Sequence, residues 1–568
     1  MNFSSKEIET FLKKTRSQPF LKKITWYAIF ITKSAFDFFK RRFKKMIKIK
    51  TKKNIVPESN SLWLGKCYKM LKDESSLLYF LSNENNDKEP IKKIQDKIEN
   101  YYNFKKYDFD NLRSINYHIV NSTDCEYINQ YHRFRDLLYL GKYLNISNDF
   151  NHNLIEFMKH SFSTWIDNNS DISKVGWASY NISERLVHWT WILQWLPKEV
   201  FKNDVEWSKS ILKSINDQAS YLYKNFEFNL GHHNHVINNA RALLTVAICF
   251  PEMPNSNLWK KHSINVFENE WKYQILSDGA HSEQSLSYHF LITRTLWEFK
   301  QFYNILKKKF PFKNDLTKMI SYATLFVRSD STIPILGHIT PDHPLKELIG
   351  LLPLWSDKIK NIKPSFLANI YSCAKNNQND INEIKSEKIL KIFQDSGIGI
   401  ISSKHYQLTI TNKVDGEIAF HGDQNLCGIT LWHSNTDIIK DLGVNSYNLD
   451  ERRKKEESWR GQSTFSVNSM DSIVSNWRKN QLPSGYFKFN SKLSKVNDFS
   501  ISLKHNAYER LVENVKSERK VSKIDDKNFE VNDRLNSENK ITYKSIFHFG
   551  GEIIKIENNN SILFQSTS

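Results

Sequence analysis

Cysteine is scarce in this chain: Cys67, Cys125, Cys249, Cys373 and Cys427 are spread over 568 residues. No two of them form a C-x-x-C pair. A disulfide-stapled miniprotein, a zinc finger and a thioredoxin-type motif are therefore excluded. The odd count fits a reducing compartment. Long apolar runs are missing as well. The longest near the start, Ile24–Thr32, stops at Lys33, and no small-residue cleavage site follows it. A secretory signal needs about 7–15 apolar residues before such a site, and a membrane span needs about 20. Neither pattern is present, which favours a cytoplasmic or membrane-peripheral location over a periplasmic one.

Acidic residues are short at one end only. Residues 1–54 hold sixteen Lys and Arg against three acids, out of a net charge of +19 for the whole chain. The rest is mildly basic, so a dispersed nucleic-acid-binding surface is not required and no nucleic acid is expected as partner. The basic leader reads as a solvated helix, as a segment lying on an anionic membrane face, or as a salt-sensitive nucleic-acid contact.

Apolar residues are plentiful. They make up 40% of the chain, and aromatics 13%, which excludes a disordered chain. Aromatic-rich helical patterns run from about residue 60 to about residue 373. A dense apolar stretch over Val187–Leu193 breaks at Pro197, and helices are expected around 209–225, 233–249, 262–275 and 282–305. Their links are short and no strict repeat is visible, which suggests a solenoid or toroid of helix pairs. Ala374–Lys388 is polar with almost nothing to bury and reads as a linker. Beyond it the period becomes two, as in Tyr406–Thr411, with further strand-like runs at Gly428–Trp432 and Ile562–Phe564. The expected architecture is multidomain, α then β: leader 1–58, helical domain 59–373, linker 374–388 and an antiparallel β-sandwich over 389–568.

Three clusters carry residues suited to chemistry. In the first, His232, His233 and His235 stand among Asn234, Asn238 and Asn239. On a helix starting near His233, Asn234, Asn238 and Arg241 share one face. Two amides and a cation suit a carboxylate or sugar hydroxyls. They equally suit a helix cap with solvated polar residues. The second cluster runs from Asp278-Gly279, a turn, through Ser282, a possible helix cap, to Tyr288 and His289. Tyr288 is expected about two turns into that helix, as a proton carrier or as a packed core tyrosine. In the third, His421, Asp423 and Asp441 could ligate a metal, act as acid and base, or form an ordinary turn.

Together these segments resemble the heparinase II/III-like polysaccharide lyases. The resemblance covers roughly residues 170–475. It rests on Tyr180-Asn181-Ile182-Ser183-Glu184-Arg185 with Trp189, on Asn234-His235 through Leu243, on Asp278-Gly279 through Glu283-Gln284-Ser285 to Tyr288-His289, and on His421 through Asp441-Leu442-Gly443 to Tyr447. It implies an incomplete α/α toroid followed by an antiparallel β-sandwich, and β-elimination at a uronic acid of an anionic polysaccharide. Asn234 and His235 would then hold the uronate carboxylate and stabilise the enolate that develops from it. Tyr288 would carry the proton transfers, with His421 as partner acid/base. Arg185, Asn238, Arg241, His289 and Tyr447 would contact the sugar chain. The departures concern zinc, which some members bind. Here Asp423 replaces a histidine and Ser463 stands about where another is expected. Asp423 and Asp441 alone make a poor zinc site, so no cofactor is expected. Two other uses of the same fold stay open: non-catalytic glycan binding, and a glycoside hydrolase using Glu283 and Asp278.

Overall fold

The computed structural model describes residues 62–73, 125–147, 152–172, 175–228, 233–356, 388–412, 426–444, 450–473, 489–557 and 561–566, together with shorter pieces such as 421–422 and 447–448. The basic leader and nearly all of the linker lie outside the described residues. The described residues divide into two compact units, one within 62–386 with 443–454 and the other within 387–442 with 455–568.

The first unit is helical. Its main elements are α1 (Leu62–Asp73), α2 (Cys125–Arg133), α3 (Arg135–Ser147), α4 (His152–Asn168), α5 (Ser179–Trp195), α6 (Lys198–Asn203), α7 (Val205–Lys224), α8 (Asn234–Cys249), α9 (Ser256–Gln274), α10 (Leu286–Ile305) and α11 (Lys313–Leu325). Two kinds of helix alternate. Helix α7 buries one stripe, Ile211, Leu212, Ile215, Ala219 and Leu222, as a surface helix does. Helices α5, α8 and α10 are buried nearly all round. Helix α5 packs on α2, α3, α7 and α8, and α8 packs in turn on α9 and α10. These are the inner and outer helices of an incomplete α/α toroid.

The aromatic content explains why the inner layer holds. Trp189 of α5 meets Phe162 at 4.5 Å, Phe134 at 5.2 Å and Trp165 at 5.5 Å between ring centroids. Such pairs contribute about 0.5–1.5 kcal/mol each beyond their buried area. Helix α5 stops at Trp195 because Pro197 holds Leu196 extended, at φ −61° and ψ 142°. Among the described residues, no helix is long and apolar enough to cross a membrane.

The second unit is antiparallel. Strands β1 (Ile389–Phe393), β2 (Ile398–Ser402), β3 (Tyr406–Thr411), β4 (Gly428–His433), β5 (Thr436–Lys440) and β10 (His548–Phe549) form one sheet in the order β1-β2-β3-β4-β5-β10. Strands β6 (Ser491–Asn497), β7 (Ser500–His505), β8 (Lys516–Lys523) and β9 (Phe529–Asn536) form a second, in the order β9-β8-β7-β6. Ile401, Leu408, Ile410 and Ile429 of the first meet Leu493, Ile501, Leu503 and Val521 of the second in one core. Gly399 permits the close approach. A Cβ there would sit 3.0 Å from both Ile410 and Ile501. The alternation read in Tyr406–Thr411 suggested a strand with one face open. Instead Gln407 and Thr409 are buried too, and the Thr409 and Thr430 hydroxyls pair at 2.6 Å.

Candidate active site

The polar residues that matter lie inside the helical unit, at the N-terminal ends of its inner helices. Helix α8 starts at Asn234 with His233 as its cap. The His233 Nδ1 accepts from the His235 main-chain N–H at 3.3 Å, and its Nε2 donates to the Glu227 carbonyl at 3.1 Å. The imidazole takes the part that Ser or Asp usually plays. His235, in the first turn, lies against the Tyr180 ring with centroids 4.3 Å apart, and its Nδ1 is 3.3 Å from Glu227 Oε1. Burial pushes this imidazole's pKa down, but the Glu227 carboxylate outweighs burial and holds it above the ordinary value. About a third of the side chain, 32%, remains exposed.

Tyr180, in the first turn of α5, donates to Asp342 Oδ2 at 2.5 Å, and Arg133 holds the other oxygen of that carboxylate at 2.6 Å. Arg133 also lies over the Tyr180 ring, 4.8 Å from its centroid. Burial works against ionisation of Asp342, but Arg133 and the Tyr180 hydroxyl outweigh it and hold the carboxyl far below the usual range. Asn234 next door is tied to the buried Glu283: its side-chain nitrogen lies 2.7 Å and 2.9 Å from the two carboxylate oxygens.

Tyr288 stands in the first turn of α10, not two turns in. The reason is the cap. Residues 275–285 form a bridge between Ile275 and His281 around the Asp278-Gly279 turn. The helix begins only at Leu286, with Ser285 accepting from the Tyr288 N–H at 3.3 Å. Gly279 is needed in that turn, because its φ is +89° and a Cβ would meet the Lys318 backbone at 2.9 Å. The Tyr288 hydroxyl lies 2.8 Å from that of Tyr447, and Tyr447 donates to the Ile339 carbonyl at 2.9 Å. A carbonyl can only accept, so in the Tyr288–Tyr447 pair Tyr288 is the donor. Burial, then the neighbouring Tyr447, hold the Tyr288 pKa well above the usual phenol value.

Asn234, His235, Tyr288 and Tyr447 thus belong to one unit; His235 lies on Tyr180, and Tyr180 and Asp342 act electrostatically on Tyr288. Four other expected sugar contacts have different partners. Arg185 is fully buried: it stacks on Trp165 at 3.8 Å and donates to Gln218 and to the carbonyls of His132 and Gly176. Arg241 bridges Glu184 of α5, at 2.9 Å, and Glu298 of α10, with Tyr371 also on Glu298. Asn238 donates to the same Glu184 at 2.8 Å. The His289 Nδ1 accepts from the His281 N–H and its Nε2 faces the Met319 carbonyl, so it is a neutral core histidine. Burial holds its pKa down at about 4. All four hold the helices together.

His421 and Asp441 lie in the β unit, both buried, and Asp423 lies outside the described residues. Ser463, in the place expected for a zinc-binding histidine, donates to the Lys440 carbonyl at 2.8 Å and accepts from the His548 N–H at 2.9 Å. A neutral hydroxyl engaged on both sides does not fit a zinc site. Among the described residues, no group of three or more His, Cys, Asp or Glu is arranged to hold a metal ion.

Sequence reasoning missed Arg133, Asp342 and Glu227. A signal existed for one of them: Gly337-His338-Ile339-Thr340-Pro341-Asp342-His343 crowds two histidines and an acid between helices. Arg133 and Glu227 carry no local signal.

An inner layer of helices with polar N-terminal turns, followed by an antiparallel sandwich, defines a two-part protein with its candidate site in the helical part. A family model described as the heparinase II/III N-terminus matches residues 44–348, and one described as heparinase II/III-like C-terminal matches residues 386–567. The chain belongs to the heparinase II/III family. A heparin-sulfate lyase of Bacteroides thetaiotaomicron is 28% identical over 229 residues, 37% of this chain and 31% of that protein. The match therefore spans about a third of that relative's length. A crystal structure of heparinase III shares the fold with a TM-score of 0.58 at 19% identity, covering 76% of this chain and 66% of that one. A heparan sulfate lyase mutant from Pedobacter heparinus gives 0.52 at 17% identity, over 84% and 74%.

Proposed function

We propose that this chain is a polysaccharide lyase that cleaves a uronate-containing glycosaminoglycan of the heparan sulfate type by β-elimination. The observation that carries the reading is the pairing of the Tyr288 and Tyr447 hydroxyls in the same unit as Asn234 and His235. In this reaction the C5 proton leaves, C4=C5 forms, and the C4–O bond breaks, its oxygen taking a proton. The C5 proton becomes acidic only when the adjacent carboxylate is neutralised. Asn234 and the His235 imidazolium supply that, and no metal is needed for it. Tyr288, protonated at rest, is assigned to both proton transfers, giving its proton to the leaving oxygen and taking up the one from C5. For residues 1–54 we assign an anionic membrane surface as partner; cosedimentation with anionic but not neutral vesicles, lost when the segment is deleted, tests this.

Ultraviolet absorbance of the unsaturated uronate tests the activity. The protein mixed with heparan sulfate is expected to generate it, and Tyr288→Phe is expected not to. Binding of the glycan without any unsaturated product would replace the lyase by a glycan-binding protein. Cleavage without the chromophore would make it a hydrolase.

A further inference from the structure

Asn234 is held in an orientation that does not suit a uronate. Its main-chain nitrogen meets Glu283 Oε1 at 2.7 Å, and its side-chain nitrogen meets both carboxylate oxygens at 2.9 and 2.7 Å. Glu283 itself is fully buried. An ionised carboxylate only accepts, so the amide's N–H end faces Glu283 and its oxygen is the end left over. A uronate carboxylate also only accepts. To meet it with N–H groups, the amide must turn over about its Cβ–Cγ bond. The amide oxygen then faces Glu283, which can hold it only by donating a proton.

We propose that docking of the substrate carboxylate turns the Asn234 amide over, and that Glu283 takes one proton from solvent to hold it there. Glu283 is thus a positioning residue that couples substrate binding to proton uptake. This rests on the lyase reading of the same site. The surroundings of Glu283 suit the exchange. Burial raises its pKa to about 7, against the pull of the Asn234 donors and of His235. The charged group acting on it from α8 is His235, itself paired with Glu227. On its own segment the titratable neighbour in sequence is His281, which burial holds neutral, at about 3. Below about pH 7 Glu283 already carries the proton and binding needs none. Above it, each pH unit should weaken binding about tenfold.

Calorimetry in two buffers of different ionisation enthalpy, with heparan sulfate oligosaccharides as probe, counts the protons. Tyr288→Phe serves as the background that prevents turnover. One pH unit above neutrality, that protein should take up about one proton more on binding than the same protein with Glu283→Gln, because glutamine supplies the N–H without titrating. Any uptake by His235 remains in both and cancels. In the active enzyme, KM should climb about tenfold per pH unit above pH 7, and Glu283→Gln should flatten that climb, whereas Glu283→Ala should raise KM at every pH. Equal proton uptake in the two proteins would overturn the proposal, as would absence of binding. Should Glu283→Gln fail to fold, Asn234→Ala with Glu283 intact should lose the same proton, and its retention would be equally fatal. Absence of unsaturated product from the unaltered protein, with proton-linked binding intact, would remove the lyase reading and leave the coupling standing.

Discussion

Asn234 and His235 open helix α8, while Asn238 and Arg241 lie one and two turns further in. The four share a short stretch of one helix, yet they do different work. The deeper pair closes an ionic lock across α5, α8 and α10. In the first pair, Asn234 meets a carboxyl whose pKa is raised to about 7, and His235, about a third exposed, is held above its usual pKa. Depth along the helix, and which carboxylate waits there, decides whether a polar residue locks helices together or sits beside groups of shifted pKa. A polar face on a helix is no evidence of a ligand until its partners are counted.

Substitutions at the two levels should separate cleanly. Tyr288→Phe at the upper level should lower kcat by about 10²–10⁴-fold, the usual range for a lost proton donor, while its melting temperature stays close to that of the unaltered protein. A rate loss below tenfold would mean that another group carries the proton. At the deeper level, Arg241→Met leaves Glu184 and Glu298 buried without their shared cation. It should cost about 3–5 kcal/mol of stability in urea unfolding. A cost near zero would show that the lock is dispensable. Tyr447→Phe removes one acceptor from Tyr288 and should change the rate by about fivefold, as one hydrogen bond of about 1 kcal/mol allows.

The smallest expected effect is in the pH dependence of stability. The folded-state pKa of His235 is raised, so its pairing with Glu227 contributes fully below the unfolded value of 6.5. The contribution disappears as pH rises through the folded value. Glu227 is lowered, burial notwithstanding, so its share is present above 4.5 and disappears as pH falls through its depressed value. Melting temperatures of the protein and of His235→Gln should therefore differ at mildly acidic pH and converge as pH rises. Parallel curves would show that the pair adds nothing.

Much of the fold was legible because its periods are long and clean. The helix expected over 233–249 forms over Asn234–Cys249, and the strand read at Tyr406–Thr411 is β3. Helix starts were less legible. Ser282 has the chemistry of a cap, but the turn around Gly279 delays the helix to Leu286, and a turn's reach is set by a bridge between residues six apart. Asn234, His235, Tyr288 and Tyr447, read from the sequence as motif residues, all lie in the helical unit. Arg185 and Arg241, read as sugar contacts, have buried partners within the helical unit, because spacing alone cannot say whether a helix face meets solvent or other buried groups. Arg133 and Asp342 were invisible for a similar reason: they are 209 residues apart and meet only after the helices pack.

Tyr447 belongs to the helical unit although it is encoded well inside the sheet half, in a stretch, 443–454, flanked on both sides by sequence of the β unit. The chain visits the sandwich, returns with this tyrosine, and leaves again. Cutting the gene at the linker would therefore not yield an intact helical unit, since the fragment would carry Tyr288 without its hydroxyl partner. Recombination that exchanged the C-terminal half for a relative's would import a new neighbour for Tyr288 along with the new sheets. Chimaeras are best designed with the 443–454 segment grafted along with the helices.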